Sequence, residues 1–559
     1  MLTRLCVENY RSLQVIDIPL GPLTVLVGPN GSGKTTVLRA LACLFGDAWP
    51  SVRSFRIPQD FTDFDTMQAI GVTGWFEPAY VHKDALGKDH EVVALRLTCK
   101  PYVRSGSWGY AGDLHADLDP LGAGGETPLV AVTPPKKGSQ PTFRPMSVTT
   151  ELRDSTRVLF VDHRRALAQH LPTVRGSVLA RLLEPARRDF ARLEEFAAAY
   201  ETALEVLRTD AVKEVEAKIK ETATRMLGFM GRRASAAMDI GFGFADPANP
   251  FSSLRLEYRE GGLNVPGDEL GLGIQSAIVV GIFEAFRQLG GTCGTVVIEE
   301  PEMYLHPQAQ RYFHRILCEM AESGSAQVIC ATHSPIFADV NRFEAVRLVR
   351  RPTGRFTTIA YICEPEASSL SIERARQKLS GRFDPTRNEV LFSSRALLVE
   401  GHADRTAALL VAEKLGGDVD AEGIAIVDCG GKNGIPLVAL VCRALGIPFL
   451  VLHDEDVWPA EHAEDPDKQE RENGVAEAEN KRVLDAVGDP ERVFVAKPSL
   501  EELLGIGRAA SDKPLRVTEK LAGMELEVVP VPLVAAVRAV LETDEDAAQS
   551  ARSAQETPR

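Results

Sequence analysis

Aromatic residues are scarce in this 559-residue chain, at 6%, and its nine cysteines never form a Cys-x-x-Cys pair. The missing pair removes the usual spacing of a structural zinc site and leaves the thiols as buried, reduced side chains. No apolar run reaches the ~20 residues that a bilayer crossing requires. The longest, Ile435 to Leu452, is broken by Arg443 and by Gly446-Ile447-Pro448 and reads as a buried helix followed by a buried strand. The chain opens on strand-like Leu2 to Val7 without a basic segment leading an apolar one, so no secretory leader, no membrane partner and a cytoplasmic location are expected. A positive excess is also lacking. A formal charge of −15 excludes a surface coated with basic residues for nucleic acid, although a local patch would suffice to hold phosphates.

What is present is typical of a soluble globular protein, with 44% hydrophobic and 25% charged residues over a length too great for one core. Residues 1–163 open with a β-hairpin, a Gly-rich loop, a helix from Lys34 to Phe45 stopped by Gly46, and further strands, with loops or irregular β structure over 104–146. Residues 164–232 change to long amphipathic helices, in which Leu193, Phe196, Tyr200, Leu204 and Leu207 recur at spacings of three and four. Such a stripe packs either on the core or on a second copy of itself. Strands and helices resume over 233–385. Residues 394–535 alternate β and α, with strands at Ala396–Val399, Ile424–Val427, Phe449–Leu452 and Val493–Val495, which calls for a parallel sheet covered by helices. The polar stretch 543–559 reads as a disordered tail.

Gly28-Pro29-Asn30-Gly31-Ser32-Gly33-Lys34-Thr35 is a complete P-loop in the right setting, with apolar Leu23–Val27 before it and a helix after it. The glycines let backbone N–H groups approach phosphates, and the helix N-terminus adds its dipole. Lys34 is expected on the β- and γ-phosphates of ATP and Thr35 on Mg²⁺, with Asn30, Gly31, Gly33 and Thr36 completing the phosphate-binding set.

Far downstream, Glu400, Asp428 and Asp454 stand at or just past the carboxyl ends of expected parallel strands, which converge on one rim. Acids gathered there repel one another unless a cation neutralises them. Oxygen-only ligands favour Mg²⁺ or Mn²⁺ over zinc, and such an ion supports phosphodiester hydrolysis.

Four more segments carry a family resemblance. Val296 to Glu302, an apolar strand ending in Glu299-Glu300-Pro301-Glu302, is followed by Leu305-His306-Pro307 and by Ala331-Thr332-His333-Ser334-Pro335, while Glu269-Leu270-Gly271-Leu272-Gly273-Ile274-Gln275 precedes a helix. With the P-loop, these resemble the head of an ABC-type ATPase, and Glu8-Asn9-Tyr10-Arg11-Ser12 resembles the first hairpin of its RecF/SMC-like branch, which works on DNA. The resemblance makes Glu300 the residue that polarises attacking water, sets His333 at the γ-phosphate, and makes Gly271 and Gly273 signature residues. Gln59 is a candidate Q-loop residue. Two departures stand out: Glu299 occupies the position where the family has Asp, and Gly271 the position of a Ser that touches the partner head's nucleotide. Slow or weakly dimer-coupled hydrolysis is expected from these departures.

Glu400-Gly401, Gly430-Gly431-Lys432-Asn433 and Asp454-Glu455-Asp456 resemble a Toprim domain, whose signature is a Glu after the first strand and Asp-x-Asp after a later one. The resemblance implies further nuclease-branch groups: the acid Asp404, an acid at Glu502 in preference to Glu501, and a lysine at Lys513 in preference to Lys497, with Asp454, Asp456 and Glu400 at the centre. An ABC head with a helical insertion followed by Toprim is similar to the OLD (overcoming lysogenization defect) nucleases, and the spread of acids looks most like class 2, which includes the Gabija anti-phage nuclease and is paired with a UvrD-like helicase. The resemblance implies an ATP-regulated, metal-dependent endonuclease acting on duplex DNA as a homodimer or higher oligomer, with a role in anti-phage defence. The alternative is a RecF/SMC-like clamp or scaffold that binds DNA under ATP control and cuts nothing.

Overall fold

A computed structural model of the chain describes all residues except 47, 102, 105–106, 109–113, 133–141, 163–176, 178, 180–181, 184–208, 230–236, 243–253, 261–262, 267–268, 290–293, 352–355, 361–384, 460–464, 507–511 and 543–559. The chain divides into two compact units: Met1–Phe337 with Val349–Ile359, and Ala338–Leu348 with Ala360–Arg559.

In the first unit β1 (Leu2–Tyr10) and β2 (Leu13–Pro19) form an antiparallel hairpin, and β3 (Leu23–Val27) leads into α1 (Lys34–Phe45). β4 (Ile70–Lys83), β5 (Asp89–Pro101) and β6 (Leu114–Leu121) extend the hairpin into a five-stranded antiparallel sheet of order β2-β1-β4-β5-β6. β7 (Val158–Val161), β8 (Thr295–Glu299) and β9 (Gln327–Ala331) lie parallel to one another and to β3 in the order β7-β8-β9-β3, with Val346–Arg350 and then Thr358–Ala360 beyond β3. Every residue of β8 and of β9 is buried, as expected of strands covered on both faces, which read as continuous apolar runs. One core, including Leu38, Leu41, Phe45, Val72 and Leu95, lies between α1 and the antiparallel sheet. A buried Arg153 closes the far end of α1 by donating to the carbonyl oxygens of Leu44, Gly46 and Ala48.

The apolar stripe from Leu193 to Leu207 lies outside the described residues. The following helix, α2 (Asp210–Phe229), packs against α3 (Leu272–Gln288) of the same chain. The two approach so closely at Gly281 that a Cβ there would stand 3.0 Å from the Ile219 carbonyl oxygen.

The second unit holds a four-stranded, all-parallel sheet. Its strands and helices alternate along the chain as β10 (Arg395–Val399), α4 (His402–Lys414), β11 (Ile424–Asp428), α5 (Ile435–Ala444), β12 (Phe449–Asp454), α6 (Pro466–Val487) and β13 (Val493–Ala496), with sheet order β11-β10-β12-β13. α7 (Lys513–Ala522) and α8 (Val531–Leu541) share a core with α4 and with Leu397 and Val399 of β10. This unit runs past the expected boundary at 535. Leu533, Ala536, Val537 and Val540 recur on one face of α8 and are all buried, so the helix belongs to the core through Leu541. Stretch 543–559 lies outside the described residues. Among the described residues no helix is long and apolar enough to cross a membrane.

Candidate active sites: a phosphate loop and an acidic strand rim

The Gly-rich loop leaves β3 with Gly28, Gly31 and Gly33 at φ 139°, 73° and 111°. A side chain is excluded at Gly33 on a second ground, since a Cβ would lie 2.4 Å from the Thr357 hydroxyl. That hydroxyl donates to the Ser32 carbonyl oxygen at 2.8 Å and lies 2.8 Å from the Ser12 hydroxyl, so Thr357 ties the loop to the turn after β1. Lys34 is buried and donates to the carbonyl oxygens of Gly28 (2.7 Å) and Pro29 (3.0 Å). Burial pulls its pKa down to about 8, against the opposing pull of Glu300 and Glu302. Gly31, Gly33, Lys34, Thr35, Thr36 and His333 line a common cavity of about 660 Å³, to which Gln59 and Arg351 also contribute.

Glu299 is buried at the carboxyl end of β8, beside Ala331 of β9. Glu300 follows with a positive φ of 49°, its N–H donating to the Ala331 carbonyl oxygen at 2.8 Å. Such a backbone is uncommon outside glycine and clusters at functional sites. Glu302 accepts from the His333 backbone N–H (2.6 Å) and the Thr332 hydroxyl (2.8 Å), locking the acid turn onto the switch segment. Burial and the Lys34 charge hold the His333 pKa below its ordinary value. Sequence reasoning gave no role to Glu302 or Thr357. Nothing in the local pattern marks a threonine more than 300 residues from the loop it holds. Gly271 and Gly273 sit apart from the P-loop cavity, just before and within the first turn of α3, where the Gly271 carbonyl oxygen accepts from the N–H groups of Ile274 (2.9 Å) and Gln275 (3.2 Å).

In the second unit the strand ends gather the acids. Glu400 follows β10 and accepts the Asp454 N–H at 2.8 Å, while Asp454 closes β12 and accepts the Leu500 N–H at 2.8 Å. Asp404, in the first turn of α4, accepts the Gly401 N–H at 3.0 Å. Asp428 closes β11 and accepts from Gly430 at 2.8 Å. Burial, first of all, raises the Asp454 pKa to about 9, with Asp404 and Glu400 adding repulsion. Burial raises Asp404 to about 7 with help from Glu501, and Glu400 to about 7 against the pull of Lys432. Burial first, and like-charge repulsion second, therefore disfavour ionisation of the rim, and a cation would offset both.

Two lysines partly answer it. Lys432, buried in the Gly430-Gly431-Lys432 turn, donates to Asp456 at 2.7 Å and lies 3.8 Å from Glu400. Lys513 donates to Glu501 at 2.6 Å. Lys497 is instead exposed and pairs with Glu455 at 2.9 Å. Glu455 also anchors the acid turn: its carbonyl oxygen accepts from Asn480 of α6 at 2.8 Å. Asp456, at φ 57°, is half-exposed.

The expected preference for Glu502 over Glu501 meets an arrangement that favours Glu501 as the acid facing the rim. Ser499 caps the short helix Leu500–Leu503 and fixes its phase, so that Glu501 is buried and raises the pKa values of Asp404 and Asp454, whereas Glu502 is exposed. In the sequence Lys432 stands only within the Gly430-Gly431-Lys432-Asn433 motif, and its place in a glycine turn just past a strand end is the signal that marks it. The all-oxygen donor set suits a hard divalent cation. Among the described residues, however, no three His, Cys, Asp or Glu side chains form a ready-made cage, because backbone amides and the two lysines hold the carboxylates.

Comparison with known proteins agrees with this division. Residues 1–91 and 161–338 match the AAA ATPase domain family, and residues 391–456 match the overcoming lysogenization defect protein-like TOPRIM domain. An OLD nuclease of Thermus scotoductus is 56% identical over 546 residues, covering 97% of this chain and 99% of that protein. An Old nuclease of Escherichia phage P2 is 29% identical over 164 residues, 29% of this chain and 27% of that one. The DNA replication and repair protein RecF of Erwinia tasmaniensis is 45% identical over 58 residues, 10% of this chain and 16% of that one.

Proposed function

The chain belongs to the OLD nuclease family, pairing an ATPase unit with a Toprim unit, and from that premise we propose an endonuclease in which the Toprim rim cuts duplex DNA and the ATPase head regulates the cut. The reading rests above all on the crowding of Glu400, Asp404 and Asp454, carboxyls that burial and mutual repulsion hold at about 7, 7 and 9.

Glu400, Asp404, Asp454 and Glu501 are the residues that would hold Mg²⁺ or Mn²⁺, with Asp428 and Asp456 at the edges. Such an ion supplies the positive charge that a phosphodiester under attack requires. Lys432 keeps Glu400 and Asp456 in place through its buried ammonium group. Lys513, held by Glu501, offers a second positive charge on the side of Asp404 and Asp454. Asn480 and the Ala496 carbonyl oxygen hold the Asp454–Asp456 turn, so the carboxylates meet substrate on a rigid frame.

In the head, Lys34, Thr35 and the P-loop amides take the ATP phosphates and its Mg²⁺. Glu300 orients water and His333 senses the γ-phosphate. Gly271 and Gly273 lie outside their own chain's cavity, which fits a head that closes on a second copy. The test is a supercoiled plasmid incubated with Mg²⁺ or Mn²⁺. Nicked and linear forms should appear with the ion, vanish with EDTA, and vanish in Asp454→Ala. Equal cutting by Asp454→Ala would refute the assignment of the rim.

A further inference from the structure

At the opposite end of the Toprim sheet, where the strands begin, lies a cavity of about 510 Å³. A five-residue strand separates it from the acidic rim by about 15 Å. Three arginines from separate elements are among its lining residues: Arg395 at the start of β10, Arg443 from α5, and Arg492 just before β13. Glu542 is the one acid among the lining residues.

Each arginine is braced from behind. Arg395 donates to the Leu541 carbonyl oxygen at 2.9 Å and to Glu422 at 2.7 Å, Arg443 donates to the Ala486 carbonyl oxygen at 2.9 Å, and Arg492 lies 3.3 Å from Asp489. Ile447, Pro448 and Phe449 supply an apolar part of the remaining wall, to which Ser394 also contributes. Forked cations beside an apolar wall, in a cavity within the size range of small-ligand sites, match a ligand with a phosphate at one end and a flat ring at the other.

We propose that this cavity binds a nucleotide monophosphate unit, present as a free nucleotide or as the 5′-phosphorylated end of a DNA strand. The phosphate sits among Arg395, Arg443 and Arg492, and the base lies on Ile447, Pro448 and Phe449. The site does not depend on the chemistry of the rim, so it stands or falls separately from the proposed cleavage reaction.

The test uses the full chain in EDTA, with two probes: a fluorescent single-stranded oligonucleotide with either a 5′-phosphate or a 5′-hydroxyl, and dTMP as competitor. Wild type should prefer the 5′-phosphate about tenfold. Arg443→Gln with Arg492→Gln should erase that preference and lower the salt-dependence slope by about 0.7, as expected for one single-strand phosphate contact. Glu542→Gln, which removes the opposing charge, should tighten binding. Loss of dTMP competition together with the 5′-phosphate preference assigns the site to free nucleotides as well as ends. Loss of the preference in a protein that dTMP never competed for assigns it to strand ends alone. An unchanged preference in a double variant that melts like wild type would overturn the proposal, as would dTMP competition that disappears only in Lys34→Ala.

Discussion

The rim is decided by single side chains whose neighbours differ by one position. Glu501 and Glu502 are adjacent, yet one is buried against Asp404 and Asp454 and the other faces solvent. Glu501→Gln is therefore expected to slow plasmid cleavage about 10- to 100-fold, the scale of losing a group that supports metal ligation, while Glu502→Gln stays near wild type in the same initial-rate assay. The sequence could not separate them, because a one-turn helix has no periodicity to read. Its phase comes from the Ser499 cap, whose hydroxyl accepts the Glu502 N–H at 3.3 Å. The rim also sets a pH dependence. Asp454, Asp404 and Glu400 are raised from ordinary values of 3.8, 3.8 and 4.5 to about 9, 7 and 7, so between those limits the folded chain binds more protons than the unfolded one, and stability falls as pH rises. Without metal, the melting temperature of the Toprim transition should drop from pH 5 to pH 9. Mg²⁺ or Mn²⁺ should raise it more at high pH, because the ion displaces protons. A stabilisation by the ion that shrinks with rising pH would contradict this account.

At the scale of elements, what was legible was what local chemistry dictates. Strand Ile424–Asp428 and helices Lys34–Phe45 and Ile435–Ala444 lie where short apolar runs meet glycine and acids. The boundary expected at 535 falls inside α8, because the partners that bury this helix come from β10 and α4, more than 100 residues upstream. The tie between Thr357 and the P-loop is of the same long-range kind, and it can be tested. Gly33→Ala would press a Cβ to 2.4 Å from the Thr357 hydroxyl at a φ of 111°. It should cost the head about 1–3 kcal/mol in denaturant unfolding and abolish binding of a fluorescent ATP analogue, leaving the Toprim transition unmoved. Gly434→Ala is its counterpart in the Toprim unit, where a Cβ would lie 1.9 Å from the Cys429 carbonyl oxygen. It should destabilise that unit and leave ATP binding intact.

At the scale of the whole molecule, one chain carries the two proposed phosphate-handling sites, each with its own duty. If, as proposed, ATP draws two heads together, sedimentation of Lys34→Ala should show no ATP-dependent shift where wild type moves toward a larger species. The two duties separate in cleavage of supercoiled plasmid by wild type, Lys34→Ala and Glu400→Ala, each in Mn²⁺ with and without ATP. The account predicts that Glu400→Ala loses cleavage by about 100-fold or more in both conditions, while Lys34→Ala still cuts with metal but no longer responds to ATP. Cutting by Glu400→Ala at the wild-type rate would contradict it.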